Sequence, residues 1–488
     1  MVPVWAAGGT YTPWQTLFVP LSIWAWICFL LPGSLGTLGT CRQRMKRLCK
    51  DPNFWCAVGF IVFLIIQMMN TGRFRYFNSE TNSYGYTPPP VTWLPWSFNR
   101  ISSKEMINWF VPALSFYILL KHSWKFIHLR IMIWVVCLNG FLNALLAFIH
   151  QASGWEYMYN FQKFGKDVYG SFGYPNHGAV YFILMFSLSL ALLIYELISE
   201  ASDRDWPTFY LSLIWAPIFF LAANLSTSRA GILGSWLVLL LTLLSVTWIA
   251  WPRLHPVQRV YGGIIMGVLC GAMLAGFLLF TKPIHIRELK KATTELNVYD
   301  EIGARFWQIE SAGEIWVDYP VYGVGGWGYK YLVGFYLPQE KWYRLNTGKA
   351  NVHNDWFQFL AEFGLVGFGL LSAIFLPLIY RHVRNFFKKP YEEQSLWANP
   401  LRIACMWGLM MLLLDSQFDI PLRSPAVMIH GILLLLLLKP HPDFQSVWSP
   451  AVDWKRLQPP LVSMKNRIWG VEPENQSPKT SKRPKKKG

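Results

Sequence analysis

Charged residues are scarce in this sequence. They make up 15% of its 488 residues, whereas soluble domains carry about a quarter. Hydrophobic residues reach 53%, and apolar runs of roughly 17–25 residues, long enough to cross a bilayer, recur along the chain. This composition argues against a set of soluble domains and predicts an all-α integral membrane protein.

Cysteine clusters and metal-ligand spacing are also lacking. The seven cysteines lie in apolar segments or in one basic loop, which is typical of packing residues or reduced thiols rather than of a disulfide framework. On the predicted outer side, His, Cys and carboxylate residues do not have the spacing of metal ligands. We therefore predict neither a metal site nor a cofactor.

Acidic residues are few beside basic ones. The chain has 44 Lys and Arg but 27 Asp and Glu, which gives a formal charge of +17. Much of this excess lies in short loops between apolar runs and in the C-terminal run 479–487. That distribution favours contact with an anionic membrane surface over binding of nucleic acid.

Hydropathy predicts about eleven membrane spans, within a range of ten to twelve. Three short basic loops, at 33–53, 121–130 and 381–400, then fall on one side, which the positive-inside rule assigns to the cytoplasm. The predicted spans are 16–32, 54–69, 107–120, 131–149, 178–198, 208–224, 230–251, 260–281, 355–380, 401–415 and 425–438.

The chain accordingly divides into three predicted parts. Residues 1–169 form N-terminal membrane helices with outer loops, 170–438 form a membrane core, and 439–488 form a basic, partly disordered cytoplasmic tail. The core includes a long periplasmic loop, 282–354. Polar groups gather on the outer side rather than at the membrane midplane, which favours an enzyme over a transporter.

The first candidate site is the tight outer loop Leu225–Gly231. Ser226 to Ser228 are suited to cap the following helix. Arg229 then lies at a helix N-terminus, where free N–H groups and the macrodipole favour an anion. An arginine that extends to the membrane interface explains the same position without a function.

The second candidate is Arg305. Apolar residues at 306, 307, 312, 315 and 316 predict a helix lying in the interface and ended by Pro320. A polar-face residue of that helix without a special role is the simpler reading of Arg305.

A glycine cluster follows at Gly323, Gly325, Gly326 and Gly328. It matches G-x-G-x-x-G, but no predicted strand precedes it and no βαβ unit surrounds it, so a dinucleotide site is rejected. We expect instead a turn that brings backbone close to a ligand or to a neighbouring helix.

The third candidate is His353, at the start of the ninth span. Asp355 and Gln358 fit a capping box, which puts His353 just outside the helix on the outer face. The positive helix end favours a neutral imidazole that can accept a proton, whereas a histidine that only caps the loop is equally compatible. Glu362, deeper in the span, is either a functional acid or a packed structural one.

Two further outer segments flank spans. Asn176 lies in Tyr174-Pro175-Asn176 before the fifth span, and Asp419 follows the tenth span. Either segment also fits a simple helix-end turn.

Taken in order, these motifs resemble the O-antigen ligase/polymerase superfamily of bacterial envelope glycosyltransferases. The resemblance covers roughly 170–430. Eleven spans differ from the twelve usual in the ligases. The matching motifs are Tyr174-Pro175-Asn176, Ser228-Arg229-Ala230-Gly231, Arg305-Phe306-Trp307, Pro320, Gly323-Val324-Gly325, His353-Asn354-Asp355, Glu362-Phe363-Gly364-Leu365-Val366-Gly367, and Asp419 with Pro425.

The resemblance implies a GT-C-like helical enzyme of the bacterial inner membrane. It would move a glycan from undecaprenyl pyrophosphate to an acceptor hydroxyl at the periplasmic face, with inversion and without a metal. Arg229 and Arg305 would hold the pyrophosphate and His353 would deprotonate the acceptor. The possible supporting residues are Asn176, Asn354, Glu362 and Asp419.

Other functions remain open at this point. The same motifs suit a polysaccharide polymerase or a protein O-oligosaccharyltransferase, so the acceptor is a glycan, a lipid or a protein. Outside this enzyme class, the alternative is a transporter or a non-catalytic membrane component.

Overall fold

The computed structural model describes residues 2–438 with gaps. The residues outside the description are 1, 6–16, 32–40, 73–74, 79–82, 88, 124–125, 155–156, 159–161, 164–167, 199–204, 227, 250–255, 295–296, 338–350, 389–399 and 439–488. The predicted tail 439–488 therefore lies outside the described residues.

Helices dominate the described part of the chain, as the apolar runs predict. Two short antiparallel hairpins, β1 (Arg75–Asn78) with β2 (Ser83–Tyr86) and β3 (Tyr157–Met158) with β4 (Gln162–Lys163), were not predicted. The helices are α1 (Val2–Trp5), α2 (Phe18–Leu30), α3 (Cys41–Cys49), α4 (Pro52–Met69), α5 (Arg100–Ser123), α6 (Phe126–Ser153), α7 (Pro175–Ile198), α8 (Trp206–Leu225), α9 (Arg229–Ile249), α10 (Pro256–Thr294), α11 (Asn297–Asp318), α12 (Tyr329–Tyr336), α13 (Asp355–Phe386), α14 (Pro400–Asp415) and α15 (Pro425–Leu437), with a 3₁₀ turn at Pro421–Arg423.

Each of the eleven predicted spans overlaps one of these helices. Among the described residues, seven helices are long and apolar enough to cross a membrane: α4, α6, α7, α8, α9, α10 and α13. Two more, α2 and α15, are apolar but shorter. The helical membrane-protein class is thus supported, and the count of eleven spans stays a prediction.

Helix α7 lies at the centre of the larger core. Its membrane-length segment Pro175–Leu197 is apolar, and residues 177–194 within it are all buried, as expected for a helix surrounded by other helices. Helices α8, α9 and α14 pack around it. Glycines allow the closest approaches, since a Cβ at Gly408 would lie 2.0 Å from the Ser187 hydroxyl oxygen.

A second hydrophobic core brings together helices from the N-terminal and C-terminal parts of the chain. It packs α4 and α5 against α13 and α15, with Phe60, Phe110 and Phe363 in edge-on ring contacts. The predicted boundary at 169/170 stays a prediction, although this core contains residues from both sides of it.

Helix α13 is broken at Gly364, where φ is 60°. The glycine segment crosses the break and replaces the lost helical hydrogen bonds. Val324 and Gly325 donate N–H groups to the carbonyls of Ala361 and Glu362, at 3.0 and 2.8 Å. On the other side of the break, the N–H groups of residues 365 and 366 bond the carbonyls of residues 320 and 321, at 2.8 and 3.0 Å. The expectation that this segment brings backbone close to a neighbouring helix is confirmed.

The predicted loop 282–354 is largely helical where it is described. Helix α10 continues past residue 281 to Thr294, and α11 and α12 follow. Helix α11 ends at Asp318, two residues before Pro320, as predicted. A small third core, with Ile315, Val324 and Val352 at its centre, packs this region against α13.

Candidate functional site

The turn between α14 and α15 is the meeting point of the site. Side chains and N–H groups from three other parts of the chain donate hydrogen bonds to its carbonyls. Arg305 Nη1 bonds the Phe418 carbonyl at 2.8 Å, and His177 Nε2 bonds that of Ile420 at 3.1 Å. Helix α13 docks on the same turn, because the Asp355 N–H bonds the Ser416 carbonyl at 3.0 Å.

The start of α13 differs in detail from the prediction. Asn354, not Asp355, is the N-cap, and its Oδ1 accepts the N–H groups of Trp356 and Phe357. The predicted Asp355–Gln358 capping box is therefore wrong, because the chain offers two adjacent cap-forming residues and the earlier one is used. Asn354 also donates through Nδ2 to the Gln417 carbonyl, at 3.0 Å.

His353 lies just before this cap in a left-handed backbone conformation, with φ 52°. Its Nδ1 is 3.1 Å from Asp419 Oδ1. Because an ionised carboxylate only accepts hydrogen bonds, this contact fixes the proton of the neutral ring on Nδ1. The other nitrogen, Nε2, has no hydrogen-bond partner among the described residues and the side chain is 27% exposed. His353 is thus arranged to accept a proton at Nε2.

Asp419 is almost fully buried and its two oxygens are fully used. Oδ1 accepts from His353 and from the Ile420 N–H at 2.9 Å. Oδ2 accepts from the Tyr174 hydroxyl at 3.0 Å and from Asn176 Nδ2. Burial by itself raises the pKa of Asp419, but the His353 hydrogen bond and charge, with His177 and Asn176, lower this pKa below its ordinary value. Asp419 is therefore ionised and orients His353.

Arg305 is brought to the same turn by α11. Its side chain is half-buried, and it bonds the carbonyl of Phe418, the residue that precedes Asp419. The guanidinium therefore lies beside the His353–Asp419 pair, and its Nη1 is used by the Phe418 carbonyl.

Arg229 is the first residue of α9, as predicted, and its side chain is exposed. The Ser228 hydroxyl accepts the Gly231 N–H at 3.2 Å, which confirms the predicted serine cap. This helix end abuts the start of α7, because a Cβ at Gly231 would lie 2.7 Å from the Ala179 Cβ. Ala179 is one turn after Asn176, so Arg229 lies at the same end of the bundle as the site.

Glu362 is not part of the His353 cluster. It forms a buried ion pair with Arg423, whose Nη2 is 2.8 Å from Glu362 Oε2. Gln358 bonds the other Glu362 oxygen at 2.9 Å. Arg423 also lies over the rings of Trp327 and Phe359, at 4.8 and 4.6 Å. This arrangement fixes the 3₁₀ turn against α13 and matches the reading of Glu362 as a structural acid.

Three contributors were missed from the sequence. Tyr174 lies in the motif that contains Asn176, and His177 directly follows that motif, but nothing in the sequence indicated that these two side chains would face the turn at Asp419. Arg423 is a cation beside the last apolar run, and such an isolated charge is the signal that it has a buried partner.

An apolar cavity of about 310 Å³ opens near the site. Trp356 and Leu422 line it beside the turn, and Ile379 and Leu435 line it farther along the bundle.

Among the described residues, no group of three or more His, Cys, Asp or Glu side chains is placed to hold a metal ion. Within the described part of the chain, no disulfide joins any of the seven cysteines. The absence of a metal from the reaction stays a prediction.

Comparison with known proteins completes the description of the site. No curated protein matches the chain. One family does match, over residues 214–372, a stretch that contains Arg229, Arg305 and His353 but ends before Asp419. That family is described as O-antigen ligase, and the match confirms the similarity of this chain to the O-antigen ligase/polymerase superfamily, which implies a multi-pass membrane enzyme of the glycosyltransferase kind.

Proposed function

We propose that this protein transfers a glycan from undecaprenyl pyrophosphate to an acceptor hydroxyl at the periplasmic face of the bacterial inner membrane. The observation that carries the proposal is the His353–Asp419 pair, in which a carboxylate holds Nδ1 at 3.1 Å and leaves Nε2 for a proton. A histidine held in this way is a general base for a hydroxyl.

The reaction runs as a single displacement with inversion. The acceptor oxygen attacks the anomeric carbon while its proton moves to His353 Nε2. The bond from the anomeric carbon to the pyrophosphate oxygen breaks, and undecaprenyl pyrophosphate leaves with the electron pair. Arg229 and Arg305 bind the pyrophosphate, since planar guanidinium groups match phosphate oxygens in a two-point contact and stabilise the charge of the leaving group. The proposed reaction uses no metal and no cofactor.

The apolar cavity supports a lipid-linked donor. Its walls are almost entirely hydrocarbon, with Phe359, Leu371 and Leu412 among them, and such walls suit the polyprenyl chain of a donor whose pyrophosphate lies at the turn. A water-soluble nucleotide sugar would have no use for such a surface.

The position of the site along the bundle supports a periplasmic reaction. Asn53 at the start of α4 bonds the Ile374 carbonyl and the Tyr117 hydroxyl, both at 2.8 Å. The basic ends of α5 and α13, at Lys121 and Arg381, therefore lie together, opposite the end that carries His353. The positive-inside rule assigns that basic end to the cytoplasm.

Topology is tested by cysteine labelling. Glu314→Cys, at an exposed position of α11, is expected to react with an impermeant maleimide in cells whose outer membrane alone is permeabilised. The unsubstituted protein is the control for its native thiols. Labelling that requires lysis of the inner membrane would contradict the proposed side.

The reaction is tested with purified protein in vesicles and an undecaprenyl-pyrophosphate-linked oligosaccharide as donor. A lipid-anchored oligosaccharide without a pyrophosphate is offered as the acceptor of a ligase, a second donor molecule as that of a polymerase, and a serine-containing peptide as that of a protein O-oligosaccharyltransferase. We expect transfer to the lipid-anchored oligosaccharide, and transfer only to another acceptor would assign the alternative.

His353→Ala is expected to lower transfer by about 10²–10⁴-fold, as removal of a positioned base does. His122→Ala is the matched control, because His122 bonds Asp51 at the opposite end of the bundle. Normal transfer by a folded His353→Ala protein would exclude the base.

Turnover that EDTA abolishes and one divalent ion restores would exclude the metal-independent reaction.

A further inference from the structure

Asp415, the last residue of α14, leads directly into the turn that carries the site. Its backbone carbonyl accepts the N–H groups of Phe418 and Asp419, at 2.9 and 2.8 Å. The residue is 6% exposed. Its carboxylate is therefore one tight turn away from the carboxylate that orients His353.

The Asp415 carboxylate differs from its neighbours in its partners. Within the described residues, its Oδ2 is buried and has no hydrogen-bond partner. Asp419 has four donors. Asp355 Oδ1 also lacks a hydrogen-bond donor, but it lies 3.9 Å from the Arg423 Nε, and the other Asp355 oxygen accepts the Leu422 N–H at 2.9 Å. A buried acceptor without a donor is costly and calls for a specific explanation.

The charges around Asp415 narrow the choice of ligand. Burial and the charge of Asp419 raise the pKa of the Asp415 carboxyl to about 8, although Arg305 lowers it, and the Arg305 guanidinium bonds the Phe418 carbonyl. At neutral pH the carboxyl is therefore largely protonated, and a partner that both donates and accepts a hydrogen bond suits it. A sugar hydroxyl does both, whereas the ionised pyrophosphate of the donor substrate only accepts hydrogen bonds.

We propose that Asp415 binds a second hydroxyl of the acceptor, next to the hydroxyl that His353 deprotonates. This inference rests on the proposed function and adds a specificity-determining residue to it. Asp415 accepts the hydrogen bond of a non-reacting hydroxyl and thereby selects acceptors that carry two suitably placed hydroxyls. Asp419, whose four hydrogen-bonding positions are filled, orients the base instead.

The test compares Asp415→Asn and Asp415→Leu with Glu314→Gln, which removes an exposed carboxylate elsewhere on the outer region. KM is measured for the lipid-anchored oligosaccharide acceptor and, separately, for the undecaprenyl-pyrophosphate-linked oligosaccharide, at equal concentrations of folded protein. We expect Asp415→Leu to raise the acceptor KM by roughly 5- to 10-fold, the size of one lost hydrogen bond between uncharged groups. Asp415→Asn keeps one acceptor oxygen and should have a smaller effect.

The donor KM should stay within about twofold of wild type in both variants, and Glu314→Gln should change neither constant. An unchanged acceptor KM would overturn the inference. A raised donor KM with a normal acceptor KM would also overturn it, because Asp415 would then act only as a counter-ion of Arg305. If the leucine variant does not fold, the asparagine variant decides. Absence of transfer by the wild-type protein would instead overturn the proposed function.

Discussion

Replacement of Asp419 tests whether His353 works as an oriented base. In Asp419→Asn the Ile420 N–H, which cannot turn, keeps the amide oxygen at the position of Oδ1. His353 therefore retains an acceptor for its Nδ1 proton and keeps its tautomer. It loses the negative charge that stabilises the imidazolium formed when the acceptor hydroxyl gives up its proton.

The expected loss of transfer rate follows from the strength of the hydrogen bond between His353 and residue 419, which the substitution weakens. A hydrogen bond to a charged group contributes about 1.5–3 kcal/mol, which corresponds to about 10- to 100-fold in rate. Asp419→Leu removes both the charge and the acceptor, so it should approach the roughly 10²–10⁴-fold loss expected for His353→Ala. The ranking of the two variants is the signature of an orienting carboxylate.

Transfer rates under saturating substrates provide the measurement, with Asp318→Asn, an exposed carboxylate on α11, as the control. Adding Asp419→Asn to His353→Ala should cause little further loss, because both changes disable one unit. Wild-type rates for a folded Asp419→Leu protein, or additive losses in the double variant, would refute the argument.

The same variant has a pH signature in stability. The folded-state pKa of Asp419 is depressed, because its hydrogen-bond donors and the nearby histidines outweigh burial. Its contribution to stability is therefore complete above the unfolded-state pKa of about 4 and is lost as the pH falls toward the folded value. The difference in thermal midpoint between wild type and Asp419→Asn should shrink below about pH 4. A difference that is constant across this range would contradict the assignment of Asp419 as an ionised group.

Three further predictions concern the arginines, the buried ion pair and the helix break. Arg305→Ala should raise the donor KM by roughly 10- to 100-fold. Arg229→Lys should also raise the donor KM although the charge is kept, since lysine lacks the planar guanidinium group. A wild-type donor KM in both variants would exclude the pyrophosphate site. Glu362→Gln leaves Arg423 without its nearest counter-charge and should destabilise the protein by about 3–5 kcal/mol in thermal unfolding, whereas the exposed Glu310→Gln should not; equal midpoints would exclude a structural ion pair. Gly364→Ala should lower the free energy of unfolding by at least about 1–3 kcal/mol, because φ is 60° and a Cβ would lie 2.5 Å from backbone atoms. Gly369→Ala, where a Cβ meets nothing within 4 Å, is the control. Equal stability of the two variants would contradict the break.

Local features of this fold were predictable from sequence because local physics determines them. Hydropathy located every described helix that is long and apolar enough to span a membrane. The end of α11 before Pro320 and the cap at Ser228 follow from backbone chemistry within a few residues. The Asp355–Gln358 capping box failed for a local reason too, since Asn354 competes for the same role one position earlier.

The pairing of distant residues was not predictable in the same way. His353 and Asp419 are 66 residues apart, and one sequence contains no signal that one side chain bonds the other. Asp419 was a candidate only through a motif, which indicated that it matters but not what it does. Glu362 illustrates the same limit, because the sequence left a functional and a structural role open and only its buried ion pair with Arg423 favours the structural one.

The break in α13 connects the local glycine segment to the positions of the distant residues Arg305 and His353. Arg305 lies on α11 and His353 precedes α13, and the glycine segment that follows α11 is hydrogen-bonded across the break in α13 at Gly364. Four backbone hydrogen bonds, from Val324, Gly325, Leu365 and Val366, therefore set the position of one helix relative to the other. A regular α13 would satisfy those groups internally and leave α11 without this attachment. The glycines near 323 and at 364 are thus required by the geometry that places Arg305 beside His353, and substitution at Gly364 should reduce transfer by more than its cost in stability alone explains.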